Sequence, residues 1–277
     1  MTIALTRFDA RAGDHSDRHL RGARRLATVL GERLSTSAEV VSGRTDGEPA
    51  EWDVELASAL PALTAMSRHV DDLLAAGCSP VNANNVCSVA LATIPAVARH
   101  RPDAVVVWFD AHPDLHTPST TASGYLGGLA LAGPLGLWDS GLGSGLVAQQ
   151  TVLVGIRDID PAERDVLARG EIAVVAVGED MAERLRDAVA GRPVYVHIDC
   201  DVLQPGQVPL DYEVDEGMTL SQLRACMAAL AENEVVGIEI GELEAEESDP
   251  DPLAAARAVV AAVEPVLQVL RDGGDRA

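Results

Sequence analysis

Short runs of Val, Ile and Leu, bounded by Gly, Pro and polar residues, alternate along this chain with longer segments whose apolar residues recur at helical spacing. The runs predict strands at 3–8 (IALTRF), 38–43 (AEVVSG), 79–83, 104–109 (AVVVWF), 151–156 (TVLVGI), 171–177 (EIAVVAV), 193–199 (PVYVHID) and 234–240 (EVVGIEI). Helices are predicted over 15–34, where Leu20, Ala23, Leu26, Val29 and Leu30 form one stripe, over 51–76 with a bend near Pro61, and over 252–271 before a polar tail. A further helix is expected close to Val86, capped by Asn84 or Asn85, with Cys87 in its first turn, and another at Asp160-Pro161. SGYLGGLALAG (123–133) reads as a loop entering a helix, and 136–146 as an irregular loop without the phosphate-loop pattern. Strands apolar throughout and alternating with helices imply a parallel sheet covered on both faces. With no long linker or repeat, 1–277 is expected to be a single domain, with 43–50 and 136–149 as its mobile loops.

Two of these strands end in unusual chemistry. AVVVWF runs into Asp110, His112 and Asp114, and VYVHI runs into Asp199 and Asp201. Alternate residues of an extended chain point the same way, so each set converges on one side of a strand end. That edge of an open α/β sheet is where ligands bind. Either set alone could be loop punctuation, since Asp often opens a turn. Together, four carboxylates and an imidazole need cations to neutralise them, and hard oxygen and nitrogen donors suit Mn²⁺ or a similar divalent ion. Two ions about 3.5–4 Å apart, sharing carboxylates, would satisfy such a set.

Composition narrows the class. The chain has 277 residues, 43 acidic and 21 basic, and a formal net charge of −22, which disfavours nucleic acid or an anionic membrane as partner and is compatible with a small cationic substrate. No apolar run reaches the ~20 residues of a membrane span, and the N-terminus lacks a signal-peptide pattern, so cytoplasmic residence is expected. Four cysteines without zinc-type spacing read as free thiols. Taken alone, Cys87 is a packed thiol, and Cys200 alternates away from its acidic neighbours.

DAHPD (110–114), SG (123–124), HIDCDVLQP (197–205) and GELE (241–244) resemble, in order and over most of the chain, the ureohydrolases: arginase, agmatinase and formiminoglutamase. The resemblance implies a three-layer αβα sandwich around an eight-stranded parallel sheet and two Mn²⁺ ions per subunit. Asp110 and Asp199 would bridge the ions, Asp114 would complete one shell, and His112 and Asp201 the other. Cys87 falls where the family places a ligand His, so that the first metal would be held less tightly, thiolate being softer than Mn²⁺ prefers. Gly127 stands where arginase has a proton-transferring His, and Tyr125 where it has an Asn that holds the substrate α-carboxylate. Ureohydrolases often form trimers or hexamers, so a homo-oligomer is possible.

CSVALAT, SGYLGG, GLWDSG and RDID are similar to one branch of the family, which cleaves Nω-hydroxy-L-arginine to hydroxyurea and L-ornithine in antibiotic biosynthesis of the D-cycloserine type. A guanidinium is a poor electrophile. Its hydroxylated form is less basic and needs less acid assistance, which accommodates Gly127. The resemblance implies Asp201 as proton carrier and Glu242 as binder of the guanidine nitrogens, with Asp160 on the α-amino group and His116, Thr121, Ser123 and Tyr125 as further pocket residues. The alternatives are an arginase or agmatinase releasing urea, and a ureohydrolase-like binding protein without catalysis.

Overall fold

The sheet order places the two acid-tipped strands side by side at its centre. The computed structural model describes residues 2–14 and 16–274, and within them eight parallel strands form one sheet. They are β1 (Thr2–Asp9), β2 (Glu39–Ser42), β3 (Cys78–Ala83), β4 (Val105–Phe109), β5 (Thr151–Val154), β6 (Ala173–Val175), β7 (Val194–Asp199) and β8 (Val235–Gly241), in the order β2-β1-β3-β8-β7-β4-β5-β6. The helices are α1 (Asp17–Leu34), α2 (Trp52–Ala75), α3 (Ala90–His100), α4 (Pro161–Leu167), α5 (Met181–Val189), α6 (Leu220–Leu230) and α7 (Ala254–Gly274). Every residue of β4, β5, β7 and β8 is buried, as continuous apolar runs require in a sheet covered on both faces. The expected sandwich is therefore observed. The start expected for the first helix at residue 15 and the end of the polar tail, 275–277, lie outside the described residues.

Three expectations differ. No α-helix follows Gly124: a 3₁₀ turn at Gly127–Leu129 and irregular turns link β4 to β5. Glycines and Pro134 crowd that segment and interrupt any helical run. Asn84 and Asn85 do not cap a helix. Asn84 N donates to Ile240 O (2.9 Å), and Asn85 Nδ2 donates to Ala10 O (2.9 Å), so both tie the end of β3 to its neighbours. Cys87 accordingly begins a 3₁₀ turn, Cys87–Val89, and α3 starts only at Ala90.

Helix α1 packs against the segment that follows β8, and Gly22 seats it there. A Cβ on Gly22 would overlap the carbonyl oxygen of Leu243, so only glycine lets the helix backbone approach the 241–245 segment. Replacing Gly22 by Ala should destabilise the protein by about 1–3 kcal/mol through overpacking against rigid backbone. Thermal unfolding of the G22A variant should show a Tm several degrees lower; an unchanged Tm would contradict this seating.

Candidate metal centre and substrate pocket

Strand register sets the first layer of the site. Phe109 pairs with Ile198 and Asp199 with Gly241, so the C-terminal ends of β4, β7 and β8 lie adjacent. Asp110, Asp199, Asp201 and Glu242 follow directly, all under 8% exposed. Backbone N–H groups of the turns orient them: His112 N to Asp110 Oδ1 (2.6 Å), Asp201 N to Asp199 Oδ1 (2.7 Å) and Ala111 N to Asp201 Oδ1 (2.9 Å). Arg157 ties the segment after β5 to the strap 201–215 that leaves β7, donating to carbonyls of Gly155, Asp201, Val202, Leu203, Val214 and Asp215. Asp114 (φ 52°) and Glu242 (φ 58°) adopt the left-handed backbone that non-glycine residues avoid, a strain typical of functional turns.

The donors around these acids fall into three overlapping groups. Asp110, His112 and Asp201 form one, with His112 Nδ1 2.9 Å from Asp201 Oδ2. Cys87 joins Asp199 and Glu242 in a second, with Sγ 3.1 Å from Asp199 Oδ2, and groups separately with Asp110 and His197. The thiol thus points at the acids and lines the cavity, while its residue also packs in a buried apolar cluster with Ala90, Ile94 and Trp108. Asp114 lines the same cavity without joining a three-donor group among the described residues. Cys200 is buried in the main apolar cluster.

Electrostatics favour a cation here. Burial, then the neighbouring carboxylates, push Asp114 and Asp199 well above the carboxylate range, and Asp110 up to about 7. Burial and Asp201 likewise raise Glu242. Burial would lower His112, but its hydrogen bonds to Asp110 and Asp201 outweigh that and raise it to about 12. The same bond outweighs burial at Asp201 and keeps its carboxyl below the ordinary value. Without added cations the cluster relieves its repulsion by holding protons and one imidazolium. Buried oxygens within 4.8 Å of imidazole and thiol donors fit divalent ions that would displace those protons.

A cavity of about 220 Å³ opens over these groups. Glu242 is held from three sides: Cys87 N (2.9 Å) and Tyr125 OH (3.1 Å) donate to Oε1, and His19 Nε2 stands 3.3 Å from Oε2. A Cβ on Gly127 would overlap the Tyr125 ring, so this tyrosine fills the space that a side chain at 127 would need. At the mouth, His116 Nε2 is 3.0 Å from Asp160 Oδ2, and Glu163 Oε2 accepts from Asp160 N (3.1 Å). Ser123 lines the cavity; Thr121 does not, and its hydroxyl instead accepts from Gly124 N (3.1 Å) within the loop.

His19, Asp158, Asp211 and Tyr212 also line the cavity, and sequence reasoning assigned them nothing. His19 lies on the buried side of α1 and reads there as a stripe position; Asp211 and Tyr212 belong to an irregular segment without periodicity. Below the acids, His197 and Glu239 were likewise missed. His197 does alternate in phase with Asp199 and Asp201, which was the available signal.

Comparison with known proteins agrees with this geometry. The arginase family model matches residues 23–266. The chain is 43% identical over 248 residues, 88% of its length and 89% of the relative's, to the N(omega)-hydroxy-L-arginine amidinohydrolase of Streptomyces lavendulae. Its fold superposes on arginase from Bacillus caldovelox with a TM-score of 0.80 (22% identity, 95% of this chain and 97% of that one). Arginase from Bacillus subtilis gives the same score at 23% identity, with 98% of each chain covered. The sandwich, the acid-lined cavity at its strand ends and these matches agree: the chain belongs to the arginase family, a metal-dependent family, and is a hydrolase of that family.

Proposed function

We propose that this protein hydrolyses Nω-hydroxy-L-arginine to hydroxyurea and L-ornithine with two Mn²⁺ ions per subunit, the hydroxyurea serving antibiotic biosynthesis of the D-cycloserine type. The observation that carries the choice over urea release is Tyr125. Its ring occupies the space above Gly127 and its hydroxyl donates to Glu242, so the pocket offers a neutral donor where a proton-transferring imidazole is expected in an arginase. Burial and Glu242 raise the Tyr125 hydroxyl well above its ordinary value, which keeps it protonated. A weakly basic hydroxyguanidine needs such hydrogen bonding more than a strong acid. The 43% identical amidinohydrolase supports the same substrate.

When bound, the Mn²⁺ ions would lower the pKa of the attacking water and polarise the substrate. Asp110, Asp114, Asp199, Asp201, His112 and Cys87 are the groups that would hold them. Glu242, fixed from three sides, accepts hydrogen bonds from the guanidine nitrogens and orients their carbon over the acids. Asp201, beside His112, carries the proton lost by water to the departing ornithine nitrogen. At the mouth Asp160, with His116 beside it, meets the α-ammonium group. The apolar and aromatic parts of Tyr125 and Tyr212, with ring centroids 5.8 Å apart, flank the path and limit water. No helix among the described residues is long and apolar enough to cross a membrane, and all four thiols are free, which supports a cytoplasmic enzyme.

Three measurements check this reading. Assayed side by side with Mn²⁺, hydroxyarginine should be consumed at least about tenfold faster than arginine or agmatine; equal urea release from arginine would make the protein an arginase, and no turnover of any of the three would make it a binding protein. Tyr125→Phe should lower kcat by about tenfold to a hundredfold with little change in KM, since the lost bond supports the group that orients the reacting carbon. Metal dependence should also appear in stability. Asp110 is raised from 3.8 to about 7, so the metal-free fold binds more protons than the unfolded chain between those values and loses stability as pH rises through them, by about 1.4 kcal/mol per pH unit for one such group. Mn²⁺ at about a hundredfold excess over its Kd should restore about 2.7 kcal/mol per site, seen as a higher Tm at neutral pH that a chelator reverses.

A further inference from the structure

Beneath the acids, one rung of side chains crosses the sheet. Asn82 pairs in register with Glu239, Glu239 with His197, and His197 with Trp108, so four neighbouring strands present these residues to the same side. His197 and Glu239 are essentially inaccessible to water. Glu239 Oε1 lies 2.7 Å from His197 Nδ1, and Tyr195 OH donates to Glu239 Oε2 (3.0 Å). Trp108 stacks flat on the imidazole, with centroids 3.4 Å apart and planes 5° from parallel. The ring therefore has one orientation, with Nδ1 committed to a carboxylate.

That arrangement leaves Nε2 as the free nitrogen, and it faces the Cys87 sulfur at 3.3 Å. A thiol is a weak hydrogen-bond partner, a poor return for a buried imidazole backed by a carboxylate and a tyrosine. Histidines that bind metals characteristically donate their other ring N–H to a carboxylate, which fixes tautomer and direction. Cys87 Sγ, His197 Nε2 and an Asp110 oxygen lie within 4.8 Å of one another, the spread of donors that share one ion. Among the described residues no other imidazole groups with Cys87.

We propose that His197 is a metal ligand, so that on the Cys87 side the imidazole comes from β7 and the thiol from the loop after β3. This rests on the reading that the pocket binds divalent ions, and it adds a donor that the sequence motifs did not identify. The imidazole that Cys87 displaces from the loop is restored from the sheet below. A thiolate, an imidazole and a carboxylate on one ion form a softer set than the oxygen-rich set around His112 and Asp201, so the two positions should differ in metal preference, the Cys87 side favouring Co²⁺ or Zn²⁺ over Mn²⁺.

The test uses the full chain and reads coordination directly. Pulsed EPR of Mn²⁺-loaded His112→Asn, which removes the other expected imidazole ligand, should still show imidazole-nitrogen coupling, and adding His197→Asn should abolish it. Equilibrium dialysis with Co²⁺ should show His197→Asn weakening one site about tenfold or more while the other is unchanged, with a shifted thiolate-to-cobalt absorption band. Glu239→Gln, which keeps an acceptor for Nδ1–H but removes the charge, should weaken the same site about tenfold. Circular dichroism of the variants checks that they fold. If His112→Asn binds two ions and shows no imidazole coupling, or if a folded His197→Asn keeps both Co²⁺ affinities within twofold, His197 is a core histidine and the inference is wrong while the metal reading stands. If the wild-type chain binds no divalent ion, both are wrong.

Discussion

Mutual repulsion among buried carboxylates is the constraint around which this molecule is arranged. Asp110, Asp199, Asp201 and Glu242 are brought together by three adjacent strand ends, and Asp114 is turned towards them by a left-handed backbone. An apolar sheet cannot hold that charge bare. The metal-free fold keeps protons on several of these groups and one imidazolium beside Asp201, at a cost that ions of opposite charge would remove. Asp114 and Glu242 carry the left-handed backbone that non-glycine residues avoid, at the two turns that aim their carboxylates into the cavity.

The surroundings show how such a cluster is held in place. Among the described residues the hydrogen bonds of the Arg157 guanidinium go to carbonyls, of Gly155, of 201–203 and of 214–215, so it clamps these segments together while attracting Asp201, Asp110 and Asp199 from a distance. Asn84, Asn85 and the Ser88 hydroxyl bond to backbone of neighbouring segments and fix the loop that aims Cys87. Gly22 lets α1 bring His19 against Glu242. Each of these contacts stiffens a backbone segment within about three residues of a cavity-facing side chain, and such precision is what differential binding of a transition state requires.

The acid-tipped strands were legible because their chemistry is local. DAHPD and HIDCD carry their spacing in one stretch, so alternation predicted Asp110, His112, Asp199 and Asp201 on one side, and the family resemblance extended the set to Cys87 and Glu242; in the structure the acids gather through turns after Phe109 and Asp199, not through a continued strand. Strand positions were likewise readable from continuous apolar runs. What the sequence did not reveal depends on register or on distant segments. Glu239 lies inside an apolar run, and only the pairing of β7 with β8 sets it against His197. The RDID motif suggested a helix entry, whereas the role of Arg157 needs the strap that returns from Asp201. The helix expected after Gly124 failed because small residues satisfied the apolar pattern while glycine and proline opposed a helical backbone.

Tyr125 illustrates how one substitution propagates through such a site. A residue with a side chain at 127 and the observed Tyr125 rotamer cannot coexist, so glycine at one position and tyrosine at the other form a single feature. The tyrosine hydroxyl reaches the Glu242 oxygen that also accepts the Cys87 N–H, and thereby ties the pocket wall to the loop that carries the thiol. The same loop places the compact Cys87 sulfur 3.1 Å from Asp199 Oδ2 and 3.3 Å from His197 Nε2. Cysteine at 87 and histidine at 197 are therefore coupled through space, just as tyrosine at 125 and glycine at 127 are. Two local features, joined through Glu242, thus set which side chains meet in the cavity without moving a strand.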